Sequence, residues 1–275
     1  MHADHPRLLC FPNGSEVTEA VRRAQAARAR LGLGVDGPVP DALRVVEDTG
    51  ELAVSVIALP DGVSGAYARR EDQGFAFLNM LDHPVRQRFT LAHELGHHEF
   101  RDGGVVDSSS DVFGQPKAMR ERRANAFAAE FLVPLAAAQR WVQSQATSEI
   151  SLLTVVTMAS YFRVSAQVAL YRLSAAGLVS GKSACRALDE AIERGEHLKL
   201  ARRHRLDDLP DEISMVHDSG RPRLPRQMWE NAVTGYEKGL LTAERIAEAL
   251  QRNANDVLAE LDELGVRPAD DEPDY

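Results

Sequence analysis

The sequence predicts an α+β fold, with a small antiparallel sheet and two long helices in the first half and helices throughout the second. Short apolar runs that end at glycine, proline or aspartate are typical of strands. Runs of this kind occur at 52–59, 64–69 and 75–79. Segments with helical periodicity follow at 82–100 and 117–133. Residues 149–205 are mainly helical by the same criterion, so we expect the sheet to be confined to the N-terminal half.

The first helices each carry a recognisable start or stop signal. A serine and an acidic first turn begin a helix over 15–31, which ends at a linker rich in glycine and proline. A short helix over 41–48 precedes the first strand. Asp82 is the predicted cap of the next helix, which has a proline in its first turn. Pro134 stops the helix over 117–133, because proline cannot continue the hydrogen-bonding pattern.

Two segments are predicted to lack regular structure. Residues 102–116 are rich in glycine, serine and aspartate, which predicts a mobile loop between the two long helices. The tail from Pro268 is acidic and is predicted to be disordered. The chain is then expected to comprise an N-terminal helix with its linker, an α+β domain, a helical module and an acidic α-helical C-terminal region, with the bounds 1–35, 36–145, 146–205 and 206–275.

Composition and charge exclude several classes of protein. Apolar residues make up 44% of the chain and charged residues 27%, as in ordinary globular proteins. No apolar run approaches the roughly 18 residues that span a bilayer, so no membrane association is expected. The net charge of −9 argues against DNA binding as the main activity, although residues 160–205 carry nine basic and four acidic side chains. Two distant cysteines and the absence of a signal-peptide pattern predict a cytoplasmic protein.

The motif with the clearest chemistry is His93-Glu94-Leu95-Gly96-His97. Two histidines four residues apart on a helix lie about 40° apart around its axis, so both imidazoles can reach one metal ion. Glu94 is then near enough to hold a water molecule at the metal without being a ligand. The alternative is an exposed helix with two solvated histidines.

A catalytic zinc site needs a third protein ligand and keeps one position open for water. Glu121 lies in the middle of the apolar arc of the helix over 117–133, where a bare buried carboxylate would be very costly. Metal coordination would offset that cost, and an ion pair with a neighbouring arginine such as Arg123 is the alternative. Glu130 lies on the opposite side of the same helix, where we expect a solvated surface residue.

The stretches 86–97 (RQRFTLAHELGH) and 121–134 (ERRANAFAAEFLVP) together resemble the ImmA/IrrE family of metallopeptidases. The strand residues 63–67 and Asn79 also fit, and the resemblance covers about residues 40–135. It implies a zincin-like fold in which 36–145 is the metallopeptidase domain. Family members of known role cleave a helix-turn-helix repressor and so switch on stress-response or mobile-element genes.

Carried over residue by residue, the resemblance assigns the zinc ligands to His93, His97 and Glu121 and the general base to Glu94. The departures are modest, since phenylalanine and valine replace the commoner leucine and methionine near the end of the second motif. The region beyond about residue 205 has no counterpart. One zinc ion is the implied cofactor, with manganese as the alternative.

Four further residues are candidates for supporting roles in such a site. Tyr67, His98 and Arg123 each could donate a hydrogen bond to the oxyanion of the transition state. Asn125, one turn after the third ligand, is a candidate for orienting a ligand histidine. The short sheet that ends at Asn79 could offer an edge strand on which an extended substrate lies.

Residues 151–178 resemble a helix-turn-helix, with the break at Arg163-Val164-Ser165. Ser165 would cap its second helix. A helix that reads DNA needs exposed arginine, lysine, asparagine or glutamine, and this one offers Gln167 and Arg172 alone. Packing within the protein is therefore favoured over DNA readout.

The sequence thus predicts a zinc-dependent endopeptidase that cleaves a partner helix-turn-helix repressor. The alternative is a non-proteolytic, metal-sensing transcriptional regulator that binds DNA through residues 151–178. A third hypothesis is a general cytosolic peptidase, which would digest generic unfolded substrates.

Overall fold

A computed structural model describes residues 14–48, 52–103, 105–108, 115–145, 149–207, 222–250 and 252–268. The strands in these ranges are β1 (Leu52–Ile57), β2 (Val63–Arg70), β3 (Gln73–Asn79) and β4 (Val105–Ser108). The helices are α1 (Ser15–Arg30), α2 (Ala42–Glu47), α3 (Pro84–Glu99), α4 (Gln115–Leu132), α5 (Leu135–Ser144), α6 (Leu152–Phe162), α7 (Ala166–Ala175), α8 (Gly181–Glu193), α9 (Glu196–His204), α10 (Arg226–Glu237), α11 (Ala243–Leu250) and α12 (Ala254–Glu263). The α+β fold class predicted from the sequence is confirmed.

The sheet is mixed, which corrects the purely antiparallel arrangement expected from the sequence. Its strand order is β1-β3-β2-β4, with β1 parallel to β3 and the other two pairings antiparallel. A two-residue turn at Glu71 and Asp72 joins β2 to β3 as a hairpin. The first strand pairs with the far side of that hairpin, so β3 becomes central. An alternating pattern identifies strands but does not fix their order.

Strand β4 lies inside the segment 102–116 that was predicted to be a loop. Four residues are too few to show the alternation that identifies a strand. The helix starts also differ in one detail, because His83 and not Asp82 caps α3: its Nδ1 accepts from the N–H of Val85 at 3.3 Å. Asp82 instead pairs with Arg86 at 3.2 Å.

One hydrophobic core joins α1, the sheet and helices α3 to α7. Helix α4 packs between α1 and α3, and α3 covers β2 and β3. Arg88 of α3 is fully buried and donates to the carbonyls of Val39 and Pro40, both at 2.8 Å, and to that of Arg163. Burial lowers the pKa of Arg88 to about 10, so its guanidinium stays charged at neutral pH and ties the linker to the turn after α6.

Helices α6 and α7 form the predicted helix-turn-helix shape. Arg163 ends α6 in the left-handed conformation, and Ser165 caps α7 by accepting from the N–H of Val168. Arg172, one of the two residues offered for DNA readout, is 5% exposed and is paired with Glu130 of α4. Among the described residues no single helix is long and apolar enough to cross a membrane; α6 and α7 reach that composition only as a pair, which bends by 106°.

The expectation that Glu130 is a solvated surface residue is wrong. Glu130 is 2% exposed and also accepts from the side chain of Gln25 and from the N–H of Leu135, at 3.0 and 3.2 Å. The helical wheel assumed one polar face for α4. In fact α1 and α3 cover opposite sides of this helix, so Glu121 and Glu130 are both enclosed although they lie on opposite sides of its axis.

Helices α10 to α12 gather around a second apolar cluster. Arg223 connects this part to the sheet, because it forms an antiparallel bridge with Val56 and an ion pair with Glu47. The helical character expected beyond residue 205 is confirmed for the described residues. Residues 208–221 and the tail after 268 lie outside them, and the four-part division of the chain stays a prediction.

Candidate metal centre

The close approach of α3 to α4 creates the site. A Cβ placed at Gly96 would lie 3.2 Å from the Cα of Ala124, so a larger residue at either position would separate the helices. Because Gly96 lies within the HExxH motif, this contact brings both of its histidines to the surface of α4.

His93, His97 and Glu121 converge as the sequence predicts. Glu121 Oε2 lies 3.1 Å from His93 Nε2 and 3.7 Å from His97 Nε2, and the two Nε2 atoms are 3.1 Å apart. The three ligand atoms lie within 4.8 Å of one another, and both histidines are buried.

The outer nitrogen of each imidazole faces an acceptor. His93 Nδ1 lies 2.9 Å from Asn125 Oδ1, and His97 Nδ1 lies 2.8 Å from the carboxylate of Asp102. Hydrogen bonds to these oxygens place the ring protons on Nδ1. The lone pairs of both Nε2 atoms therefore point at each other and at the carboxylate of Glu121. These three groups repel one another unless a cation lies between them. The donor set fits a metal ion.

Glu121 supports the same conclusion. Burial raises the pKa of this carboxyl, but when protons on the Nε2 atoms take the place of a metal ion, hydrogen bonds and charge interactions with His93 and His97 outweigh burial and hold the pKa well below its usual range. The carboxylate is thus ionised at neutral pH. Its Oε1 atom is buried and has no hydrogen-bond partner within the described part of the chain, so a cation would satisfy it.

Glu94 is fully buried. A Cβ at Gly65 of β2 would lie 2.5 Å from Glu94 Oε1, so the bare backbone of the strand passes directly over the carboxylate. Glu94 is therefore a buried carboxylate under β2, and it is not one of the three convergent groups.

The remaining candidates occupy two different positions. The hydroxyl of Tyr67 lies 3.1 Å from His98 Nδ1, and its ring stacks on His97 with centroids 6.3 Å apart. Burial raises the pKa of Tyr67, so its hydroxyl stays protonated and able to donate. Arg123 instead pairs with Asp102 and lies over the ring of Phe100, so its guanidinium is engaged in these two contacts.

The sequence reasoning missed Asp102, and it left open which strand forms the edge of the sheet. Asp102 falls in the segment predicted to be a loop, and no motif there marks it as a partner of His97. Asn79 ends β3, which is internal to the sheet, so an edge strand for an extended substrate is not β3 itself. Its side chain donates to the carbonyl of Val63 at 2.8 Å and holds the hairpin in register.

A histidine pair and a carboxylate on crossing helices beside a small sheet define a metallopeptidase domain. Residues 49–174 match the family Peptidase M78, described as the IrrE N-terminal-like domain. This part of the chain therefore belongs to the ImmA/IrrE family of metallopeptidases, as the resemblance of its two motifs implied. No curated protein is significantly similar to the chain.

Proposed function

We propose that the protein is a zinc-dependent endopeptidase in which His93, His97 and Glu121 hold the metal and Glu94 is the general base. The observation that carries the proposal is the convergence of two imidazole lone pairs and an ionised carboxylate, each imidazole being anchored at its other nitrogen. Three nitrogen and oxygen ligands with a fourth position for water are typical of catalytic zinc. Manganese is the alternative ion.

When bound, zinc supplies Lewis acidity that polarises a peptide carbonyl and acidifies water. Glu94 accepts the proton of the attacking water as its oxygen forms a bond to the carbonyl carbon. The carboxyl of Glu94 then delivers that proton to the amide nitrogen as the carbon–nitrogen bond breaks. Tyr67 and His98 are the proposed hydrogen-bond donors to the developing oxyanion.

The proposed substrate is a partner helix-turn-helix repressor, whose cleavage would derepress stress-response or mobile-element genes in the cytoplasm. Family membership supports this assignment. The burial of Arg172 in an ion pair weakens the alternative of a DNA-binding regulator, because α7 retains little polar surface with which to read bases. Direct DNA binding is therefore not part of the proposal.

The test uses the purified chain, loaded with zinc or manganese, and a helix-turn-helix repressor encoded beside it. We expect one cut in the repressor and little digestion of casein. Glu94→Gln should retain the metal and the fold but lose about 10²- to 10⁴-fold in rate, because an amide cannot accept the proton.

Three results would contradict parts of the proposal. Substantial cleavage by Glu94→Gln would show that Glu94 is not the general base. Efficient digestion of casein would favour the general peptidase. Specific DNA binding without cleavage of any protein would favour the regulator.

A further inference from the structure

The end of helix α3 fixes Asp102 against the ring of His97. Phe100 ends the helix, and Arg101 then adopts the left-handed conformation with a φ of 54°. The N–H of Arg101 donates to the carbonyl of His98 at 2.9 Å, and the N–H of Asp102 donates to that of His97 at 3.0 Å. This pair of bonds is the Schellman motif. The backbone of Asp102 is thus bound to the same residue that its carboxylate contacts.

Arg123 of α4 holds the second oxygen of that carboxylate. Its guanidinium donates to Asp102 Oδ1, while Oδ2 lies 2.8 Å from His97 Nδ1. The side chain of Asp102 is 5% exposed, so its charge needs a partner, and Arg123 supplies it. With both oxygens engaged, the carboxylate cannot rotate, and the plane of the imidazole is fixed with it.

An aromatic ring connects Arg123 to helix α1. The centroid of the Phe100 ring lies 4.3 Å from Cζ of Arg123 and 4.4 Å from Cζ of Arg23. A guanidinium over an aromatic face is attracted by the quadrupole of the ring. Arg23 also donates to the carbonyl of Glu99, so it holds the end of α3 at two points.

We propose that helix α1 is part of the metal centre, because Arg23 supports the chain of contacts through Phe100, Arg123 and Asp102 that orients His97. Arg23 precedes the family-matched segment, so the proposal extends the centre beyond it. The inference rests on the proposed function, since it takes His97 as a metal ligand. Arg23 and Asp102 are positioning residues here, and their effect is on metal affinity.

The packing of α1 can be separated from the action of Arg23. The helix is anchored by buried alanines at 20, 24 and 27 and by an ion pair between Arg30 and Glu99. The side chain of Arg23 is 34% exposed, and replacing it leaves these anchors in place. Arg22 is a matched control, because it shares with Arg23 the ion pair to Glu19 but is 69% exposed on the outer face.

The experiment measures the zinc dissociation constant of the intact chain by competition with a chromogenic chelator. Asp102→Ala should weaken binding by about 10- to 100-fold, the usual effect of removing the carboxylate partner of a ligand histidine. Arg23→Gln should weaken it by about two- to five-fold, the value of one cation–π contact, and Arg23→Lys should restore most of the loss. Arg22→Gln should leave the constant unchanged.

A double variant separates positioning from general stability. Arg23→Gln should have no further effect when Asp102 is already alanine, because the two residues act on one path. Equal effects of the Arg22 and Arg23 variants, or an undiminished effect of Arg23→Gln in the Asp102→Ala background, would overturn the proposal. An unmodified chain that binds neither zinc nor manganese would instead overturn the proposed function, and an unmodified chain that binds zinc but cleaves nothing would leave this inference standing.

Discussion

Gly65→Ala should inactivate the enzyme through the position of Glu94. The new Cβ would lie 2.5 Å from Glu94 Oε1 and closer still to Thr90 Cγ2. The carbonyl oxygen of Phe77 lies 3.3 Å from the new Cβ and belongs to the paired strand β3, so the new methyl group cannot move away toward that strand. Ordinary contact begins near 3.4 Å, so the carboxylate must move by roughly 0.9 Å. Displacing a reacting group by about 1 Å costs on the order of 10²-fold in rate.

The assay compares kcat on the repressor, or on a peptide that spans its cut site, with the zinc content of the same sample. Zinc content should stay at one ion per chain, because none of the three heavy atoms nearest to the new Cβ belongs to a proposed metal ligand. Gly34→Ala is the control, since a Cβ there meets nothing within 4 Å and the residue has an ordinary φ. It should behave as the unmodified protein does.

A companion variant tests whether the Gly65→Ala protein is inactive only because it is unstable. Thr90→Ser removes the Cγ2 atom that the new methyl group would strike first, and so relieves the clash with α3. The combination of Gly65→Ala with Thr90→Ser should therefore recover thermal stability while leaving Glu94 displaced and the rate low. A double variant that is stable and cleaves within about threefold of the unmodified rate would refute the placement of Glu94 under β2.

Three further variants test the site and its surroundings. Glu121→Ala should lower metal occupancy sharply. Glu130→Ala should keep one ion per chain but lose about 3–5 kcal/mol of unfolding free energy, because it leaves the charge of Arg172 buried and unpaired. Metal analysis and chemical denaturation measure the two effects, and the reverse pattern would exchange the roles of the two carboxylates. Tyr67→Phe keeps the ring packed on the imidazole and should lower kcat by about 10²-fold at unchanged metal content. An unchanged kcat would remove Tyr67 from the proposed oxyanion donors.

The parts of the site that could be predicted are those encoded over short distances in sequence. The spacing of His93 and His97 fixes their common face once a helix forms. Glu121 was found because a carboxylate on an apolar arc needs a partner, and Asn125 follows it by one turn on the same face. In each case helical geometry alone converts sequence spacing into spatial position.

The parts that could not be predicted depend on how distant elements pack. The parallel pairing of β1 with β3 joins strands that are not neighbours in sequence, and no local pattern encodes it. Asp102 reaches His97 only because Arg101, a residue other than glycine, ends α3 in the left-handed conformation. Sequence patterns for helix ends rely on glycine at this position, so they give no sign of the carboxylate that follows.

The two buried carboxylates of α4 give the family-matched part of α7 a structural role. Glu121 and Glu130 are nine residues apart, which places them on opposite sides of the helix, and α1 and α3 enclose both sides. Each negative charge needs its own compensation. A metal ion at the proposed site would provide it for Glu121, and Arg172 of α7 provides it for Glu130. Because the match ends at residue 174, it includes this arginine. The helix-turn-helix-like pair thus has a structural role, because its Arg172 compensates the buried Glu130 on the helix that carries the proposed third ligand.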